Sequence, residues 1–523
     1  MQNANAAWFE PRGGRRGTFH RVMSSRAAFA FCMLHVALLV ARCAKQPPAT
    51  PIPEPRPAVI NPVQQLRADI DTLLNQPGHQ HGLWAVLVES LTRNDRLYQR
   101  DPATLLVPAS TMKLVSVAVA AETVGWDYTF ETRMLATGPI VEGVLQGDLV
   151  ISGAGDPSIL GRPAPGTLAR WIDALRARGV TRIAGRVIGD DDDGEEPKPG
   201  FAWSWEDMGH TYGAIPGPLN LAENVVEISV SPGNLEGRPT VIDLPPQARG
   251  LDVVNRSTTG PAGSAASLWP ELTPGGAALT INGTIAAGSP RSVVSTAVGN
   301  PTLWVATALR NAILDGGIDV EGAACDIDEL AVKPFRPDAM LVYAHRSPPL
   351  SEIAKPLLEE SINLYAEAVL RLATGPLGVR TADAALDATR LRLQSWGIAN
   401  DAIQIVDGSG LSRRDVIAPE ALVAILRRFH DASARTPWMQ ALAVGGREGT
   451  LESRMKGTPA EGNAMAKSGA MSNIRTLAGY VTSAEGEPLV FAIMANNFEG
   501  SAANVVATID KVVARLATFK RAD

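Results

Sequence analysis

The two ends of this chain's body mirror each other, and that symmetry limits its fold more than any other feature. Residues 64–75 carry Leu66, Ile70, Leu73 and Leu74 at helical spacing, and L-W-A-V-L-V-E-S-L and R-L-Y-Q-R then read as two strands. At the far end, 478–482 and 488–495 read as strands on either side of S-A-E-G-E. Residues 502–516 follow as a helix through Val505, Ile509, Val512, Val513 and Leu516. Strands from both ends can share one sheet, which closes a single α/β (α+β) domain from distant segments and leaves the middle as an insertion. Residues 63–139 and 336–523 are the expected halves of that domain. Residues 140–335, dominated by short strands, Gly and Pro, with 167–178 as the main helical stretch, read as one or two β-rich inserted domains.

At 523 residues, 45% hydrophobic and 20% charged, the chain can bury a large core, which excludes general disorder. Residues 1–42 hold six Arg against one Glu, so of a net charge of −6 the remainder carries about −11. Such a body does not favour nucleic acid or an anionic membrane surface.

Arg12, Arg15, Arg16, Arg21 and Arg26 precede an apolar run over 27–41 that only His35 interrupts. That is the architecture of an export signal, and the run is shorter than the roughly 20 residues a membrane-spanning helix needs. Residues 1–44 are therefore expected to be a signal peptide or lipoprotein leader, and the Pro-rich stretch 45–62 a tether. Met23 offers an alternative start. The expected location is extracytoplasmic (periplasmic). Cys43 would be the lipid anchor, although Arg42 stands where such sites carry a small residue, and membrane contact is expected only through lipidation or a retained signal. Cys32 and Cys43 belong to the leader, so Cys325 is alone in the body and reads as a small buried apolar residue.

Chemistry enters at V-P-A-S-T-M-K-L-V. Pro108 favours an extended approach and T-M-K-L-V-S-V-A-V-A-A-E is helix material, so Ser110 is expected near a helix N-terminus with Lys113 one turn on. A serine needs a base at neutral pH, and a lysine desolvated among apolar neighbours can be one. Alone, S-x-x-K is a weak signal that chance supplies readily. A second element, L-L-E-E-S-I-N-L-Y-A-E, begins with Ser361, 251 positions after Ser110. Ser361 can relay a proton, and Asn363 can hold a peptide carbonyl. The third, A-M-A-K-S-G-A-M, offers Lys467 and Ser468 for a carboxylate. Its Gly469 allows close backbone approach, and the N–H of Ala470 can join that of Ser110 in an oxyanion hole.

The order S-x-x-K, S-x-N, K-[ST]-G resembles the active-site set of penicillin-recognising serine enzymes. With so long a gap between the first two elements, the chain resembles the D-alanyl-D-alanine carboxypeptidase/endopeptidase family, the class C low-molecular-mass penicillin-binding proteins. G-D-L-V-I-S-G-A-G-D-P-S at 147–158, G-R-V-I-G-D-D at 185–191, W-S-W-E-D-M-G-H-T-Y-G-A at 203–214, D-G-S-G-L-S-R at 407–413 and G-R-E-G-T-L at 446–451 carry the resemblance over about 64–518. It implies a penicillin-binding/serine β-lactamase-like catalytic domain split by a large insertion with a further domain nested in it. It also implies a serine-type carboxypeptidase and DD-endopeptidase that acts on peptidoglycan stem peptides through an acyl-enzyme on Ser110. β-Lactams would inhibit it, and no metal or organic cofactor would be needed. By the same resemblance Asp156 would face the ammonium of a diamino-acid side chain and Arg413 would line that subsite. On the residues alone, Gly-Asp-Pro is equally an Asx-turn. Two other readings stay open: a serine β-lactamase, and a non-catalytic peptidoglycan-binding protein on the same fold. One departure stands out. Many relatives read K-T-G-T where this chain has Lys467-Ser468-Gly469-Ala470, which predicts weaker carboxypeptidase activity relative to cross-link cleavage.

Other features read as structure. D-D-D-D-G at 190–194 lacks calcium-loop spacing and reads as a solvated acidic turn. His79 and His81 have no partners at zinc spacing. No phosphate loop is present, and Trp203 and Trp205 read as core packing in the insert.

Overall fold

The computed structural model describes residues 61–161, 167–272, 278–334, 338–431 and 435–521; the leader and nearly all of the tether lie outside them. The mirrored ends do meet. One six-stranded antiparallel sheet runs, edge to edge, Arg96–Arg100, Leu83–Ser90, Pro488–Asn496, Ile474–Thr482, Met465–Met471 and Ala443–Val444. Because side chains alternate along a strand, Val86 and Val88 pack on one face against the terminal helices Pro62–Leu74 and Ala502–Ala517, through Leu66, Ile70, Val505, Ile509 and Val512. Ala85 and Leu87 face the other way, into a helical layer that includes Lys113–Val124, Leu350–Glu359, Asn363–Leu370 and Pro419–Asp431. The central strand Pro488–Asn496 is covered on both faces, hence its nearly unbroken apolar run.

The insertion is wider than 140–335. Its five-stranded sheet runs Ala324–Asp326, Val187–Asp190, Leu149–Ser152, Glu131–Ala136, Met340–Arg346. The strands that enter and leave it, Glu131–Ala136 and Met340–Arg346, pair antiparallel as a clasp. Both lie outside the expected boundaries, because pairing across two hundred positions leaves no mark on either strand alone. A three-stranded sheet (Val241–Asp243, Val225–Ser231, Ser292–Ala297) and a four-stranded sheet built around Leu279–Ala286 complete a β-rich region. Its second helix, Pro301–Asp315, went unread although Asn300 caps it on Leu303 N and Pro301 opens it.

Two local expectations need correction. The acidic turn is not solvated throughout: Asp190 and Asp191 are buried, and Thr302 Oγ1 donates to Asp191. Only the outer carboxylates meet solvent, with the Lys333 ammonium seated between Asp192 and Asp328. Nor do the two tryptophans pack a core. Trp205 is 67% exposed, and the half-buried Trp203 donates its indole N–H to Asp407 at 2.8 Å. Cys325 is buried, as expected, and burial pushes its thiol pKa up.

Candidate active site

Ser110 stands on a 3-10 turn, Ala109–Met112, that runs directly into the helix Lys113–Val124. Ala109 holds the left-handed region at φ 47°, a strained conformation for a residue with a Cβ, kept by its surroundings. Asn496 pins the approach by accepting from Val107 N at 2.8 Å and donating to Val107 O at 3.1 Å. Thr476 Oγ1 donates to Pro108 O at 2.7 Å. The sheet thus holds the turn that carries the hydroxyl.

Lys113 follows one turn later, fully buried. Its Nζ lies 2.9 Å from Ser110 Oγ, 2.6 Å from Asn363 Oδ1 and 2.7 Å from Ser409 O. Burial pulls its pKa down to about 7, against the raising fields of Asp407, Glu367 and Asp415. An amine that titrates near neutrality and touches a hydroxyl is what proton abstraction from serine requires.

Ser361 and Asn363 occupy the tight break between Leu350–Glu359 and Asn363–Leu370, with Ser361 at φ 69°. Ser361 is therefore not a helix cap. Its hydroxyl accepts from Lys467 Nζ at 2.9 Å, while Asn363 Nδ2 donates to the carbonyl of Tyr212 at 2.7 Å. Lys467 is fully buried on the strand Met465–Met471, and its Nζ also donates to Ser468 O. Burial, with Lys113 and Arg454 nearby, drives its pKa well below the usual lysine range. Ser468 Oγ donates to Thr450 Oγ1 at 2.7 Å, a partner from G-R-E-G-T-L. A Cβ on Gly469 would meet Thr476 Oγ1 at 2.2 Å and Pro108 O at 2.6 Å, and would sit 3.1 Å from Ser110 N. Only glycine lets this strand lie against the serine turn. Ala470 follows it, exposed. Ser110, Lys113 and Asn363 thus form one hydrogen-bonded group and Ser361 and Lys467 another, brought side by side from three distant stretches by the short 361–363 break.

Behind Lys113 lies a layer the motifs did not announce. Glu367 Oε1 accepts from Gly408 N and Ser409 N, both at 2.9 Å. Asp407 accepts from Ser409 N, Gly410 N and Ser412 N, and Asp415 from Val406 N and Asp407 N. These three buried acids hold D-G-S-G-L-S in the shape that presents Ser409 O to the lysine. Glu367 was findable: it is four positions after Asn363, on the same helix face.

Asp156 is not at the groove. It is fully buried, its Oδ1 accepts from Ser158 N at 2.8 Å and Ser158 Oγ at 2.6 Å, and His345 Nε2 lies 3.5 Å from its Oδ2. The Gly-Asp-Pro turn is an Asx-turn that engages Oδ1, while Oδ2 is buried without a hydrogen-bond partner among the described residues. Tyr212, whose carbonyl meets Asn363, donates its Oη to Asp207 at 3.2 Å. Arg413 is exposed and donates to Ser472 O, beyond the Lys467 strand. A cleft of about 1080 Å³ opens beside Ser361 and Asn363, with Tyr212, Glu227, Asp243 and Arg291 of the insert along it.

Over residues 66–518 the chain matches the D-Ala-D-Ala carboxypeptidase 3 (S13) family. It is 32% identical over 472 residues to a D-alanyl-D-alanine carboxypeptidase of Actinomadura sp. (strain R39), covering 87% of this chain and 85% of that protein. To the D-alanyl-D-alanine carboxypeptidase DacB of Haemophilus influenzae it is 24% identical over 420 residues, 79% of this chain and 85% of that one. The crystal structure of penicillin binding protein 4 (dacB) from Haemophilus influenzae superposes with a TM-score of 0.76 at 23% identity, covering 86% of this chain and 100% of the other. The mixed α and β fold expected above is thus the fold observed. With a match that spans residues 66–518, the chain belongs to the D-Ala-D-Ala carboxypeptidase 3 (S13) family.

Proposed function

We propose that this chain is a serine-type D-Ala-D-Ala carboxypeptidase whose nucleophile is Ser110 and whose base is Lys113. The observation that carries the reading is the 2.9 Å approach of a buried amine with a pKa of about 7 to the serine hydroxyl. Lys113 takes the Ser110 proton as Oγ attacks the carbonyl of the penultimate D-Ala, and the N–H groups of Ser110 and Ala470 hold the oxyanion. The proton returns through Lys113 and Ser361 to the leaving amine, the peptide bond breaks, and an ester on Ser110 remains for water to hydrolyse. Asn363 steadies the substrate amide, and Lys467 with Ser468 receives the terminal carboxylate.

A β-lactam would follow the same first step and then stay, because its ring-opened leaving group remains tethered. The broad cleft beside Ser361 supports peptidoglycan cross-links as substrates as well, so DD-endopeptidase activity belongs to the same reading. The Arg-rich apolar leader supports action outside the cytoplasm. Incubation with labelled penicillin, followed by mass spectrometry of the peptides, tests the assignment. A persistent adduct on Ser110 is expected. Rapid turnover with transient label would favour a β-lactamase, and no label would favour a non-catalytic binder.

A further inference from the structure

The insert reaches the catalytic lysine. Of the three oxygens around Lys113 Nζ, one belongs to Ser110 and the other two, Asn363 Oδ1 and Ser409 O, are each held in place from the segment 203–212. Tyr212 O accepts from Asn363 Nδ2, which orients the amide so that its oxygen faces the lysine. Trp203 Nε1 donates to Asp407 Oδ2 at 2.8 Å; Asp407 Oδ1 in turn accepts from Ser409 N at 3.1 Å and Gly410 N at 2.6 Å, and Oδ2 from Ser412 N at 2.7 Å. The turn that carries Ser409 O is thereby clamped from one side by Glu367 and from the other by an indole. Gly200 leaves room for the ring: a Cβ there would fall 2.4 Å from the indole. The turn has no slack on the serine side either, since a Cβ on Gly410 would meet Ala109 O at 1.9 Å.

We propose that Trp203, although it belongs to the insertion, is a positioning residue for the general base: through Asp407 it holds the 407–412 turn and so the Ser409 carbonyl on Lys113. This rests on Lys113 being the base. The charged groups facing Lys113 are Asp407 and Asp415 from the turn, Glu367 from the helix and Lys467 from the strand. Without the indole N–H, Asp407 keeps one donor fewer, the turn loosens, and water gains access to the ammonium form of Lys113. The lysine then titrates higher, and less of it is neutral at pH 7.

The test replaces Trp203 by phenylalanine, and separately by β-(3-benzothienyl)alanine, which keeps the ring shape and lacks the N–H. The readout is penicillin acylation rate from pH 5.5 to 9.5, alongside thermal unfolding. Both variants should acylate roughly 5- to 20-fold more slowly at pH 7, with the acid limb of the profile displaced upward and the high-pH rate largely restored. If Trp203→Phe fails to fold, the benzothienyl variant decides. A profile identical to wild type, or an equal loss at every pH with the limb unmoved, overturns the proposal. Failure of wild-type protein to acylate at all would instead sink the assignment of Lys113 and Ser110.

Discussion

Lys113 and Lys467 are both fully buried, and each touches a motif serine, yet their surroundings make them different instruments. Lys113 has Asp407, Glu367 and Asp415 behind it, and their fields offset part of the cost of burial, leaving a pKa of about 7. Lys467 lies on the strand next to the sheet edge, where the charged neighbours that act on it, Lys113 and Arg454, are cations, and its pKa falls well below the usual range. A base that must both take and return a proton needs the first environment. The second suits a carboxylate receiver: the arriving anion supplies the missing counter-charge and brings the ammonium state with it.

The comparison breaks most decisively at Lys113. Lys113→Met should cut acylation by penicillin roughly 10²- to 10⁴-fold, the usual worth of a positioned base. In wild type the acylation rate should rise with pH through about 7 and level off above it, because the neutral amine is the active form and its pKa has been lowered, not raised. A rate that falls with rising pH through that window would assign the limb to another group. Lys467→Met should cost less, roughly ten- to a hundredfold, the worth of one charge-assisted hydrogen bond, and should appear mainly in KM for carboxylate-bearing peptides. Equal losses for both lysines would erase the distinction. The smallest effect belongs to Ala470→Thr. Restoring a hydroxyl at this exposed position on the strand should raise D-Ala-D-Ala pentapeptide turnover by at most about tenfold, and unchanged kinetics would show that Ser468 already satisfies the carboxylate.

Much of the site was legible because its chemistry constrains residue type. Hydroxyls, amines and an amide at short fixed offsets name Ser110, Lys113, Ser361, Asn363 and Lys467, and Gly469 announces a close backbone approach that its neighbours Thr476 and Pro108 do enforce. The two readings of Asp156 could not be separated in sequence because a Gly-Asp-Pro string says nothing about which way the carboxylate turns. Ser158, two positions on, supplies both an N–H and an O–H, and burial does the rest. Trp203 and Asp407 were missed as a pair, since a hydrogen bond between positions 204 apart has no local signature. The insert's limits were drawn too tight for the same reason: the clasp of Glu131–Ala136 and Met340–Arg346 exists only in their pairing.

By itself, the amino-acid sequence determined which hydroxyls, amines and amide would be candidates for one site and that both ends of the body would share a sheet, because motif spacing and strand alternation are local properties. Tertiary structure decided the rest: that Lys113 titrates near neutrality, that Asp156 turns one oxygen into its own turn and is buried, and that Trp203 and Tyr212 of the insert bond to the groups that surround Lys113. Those are consequences of burial and of partners brought from far along the chain, and dielectric surroundings are set by everything nearby in space, whatever its position in sequence.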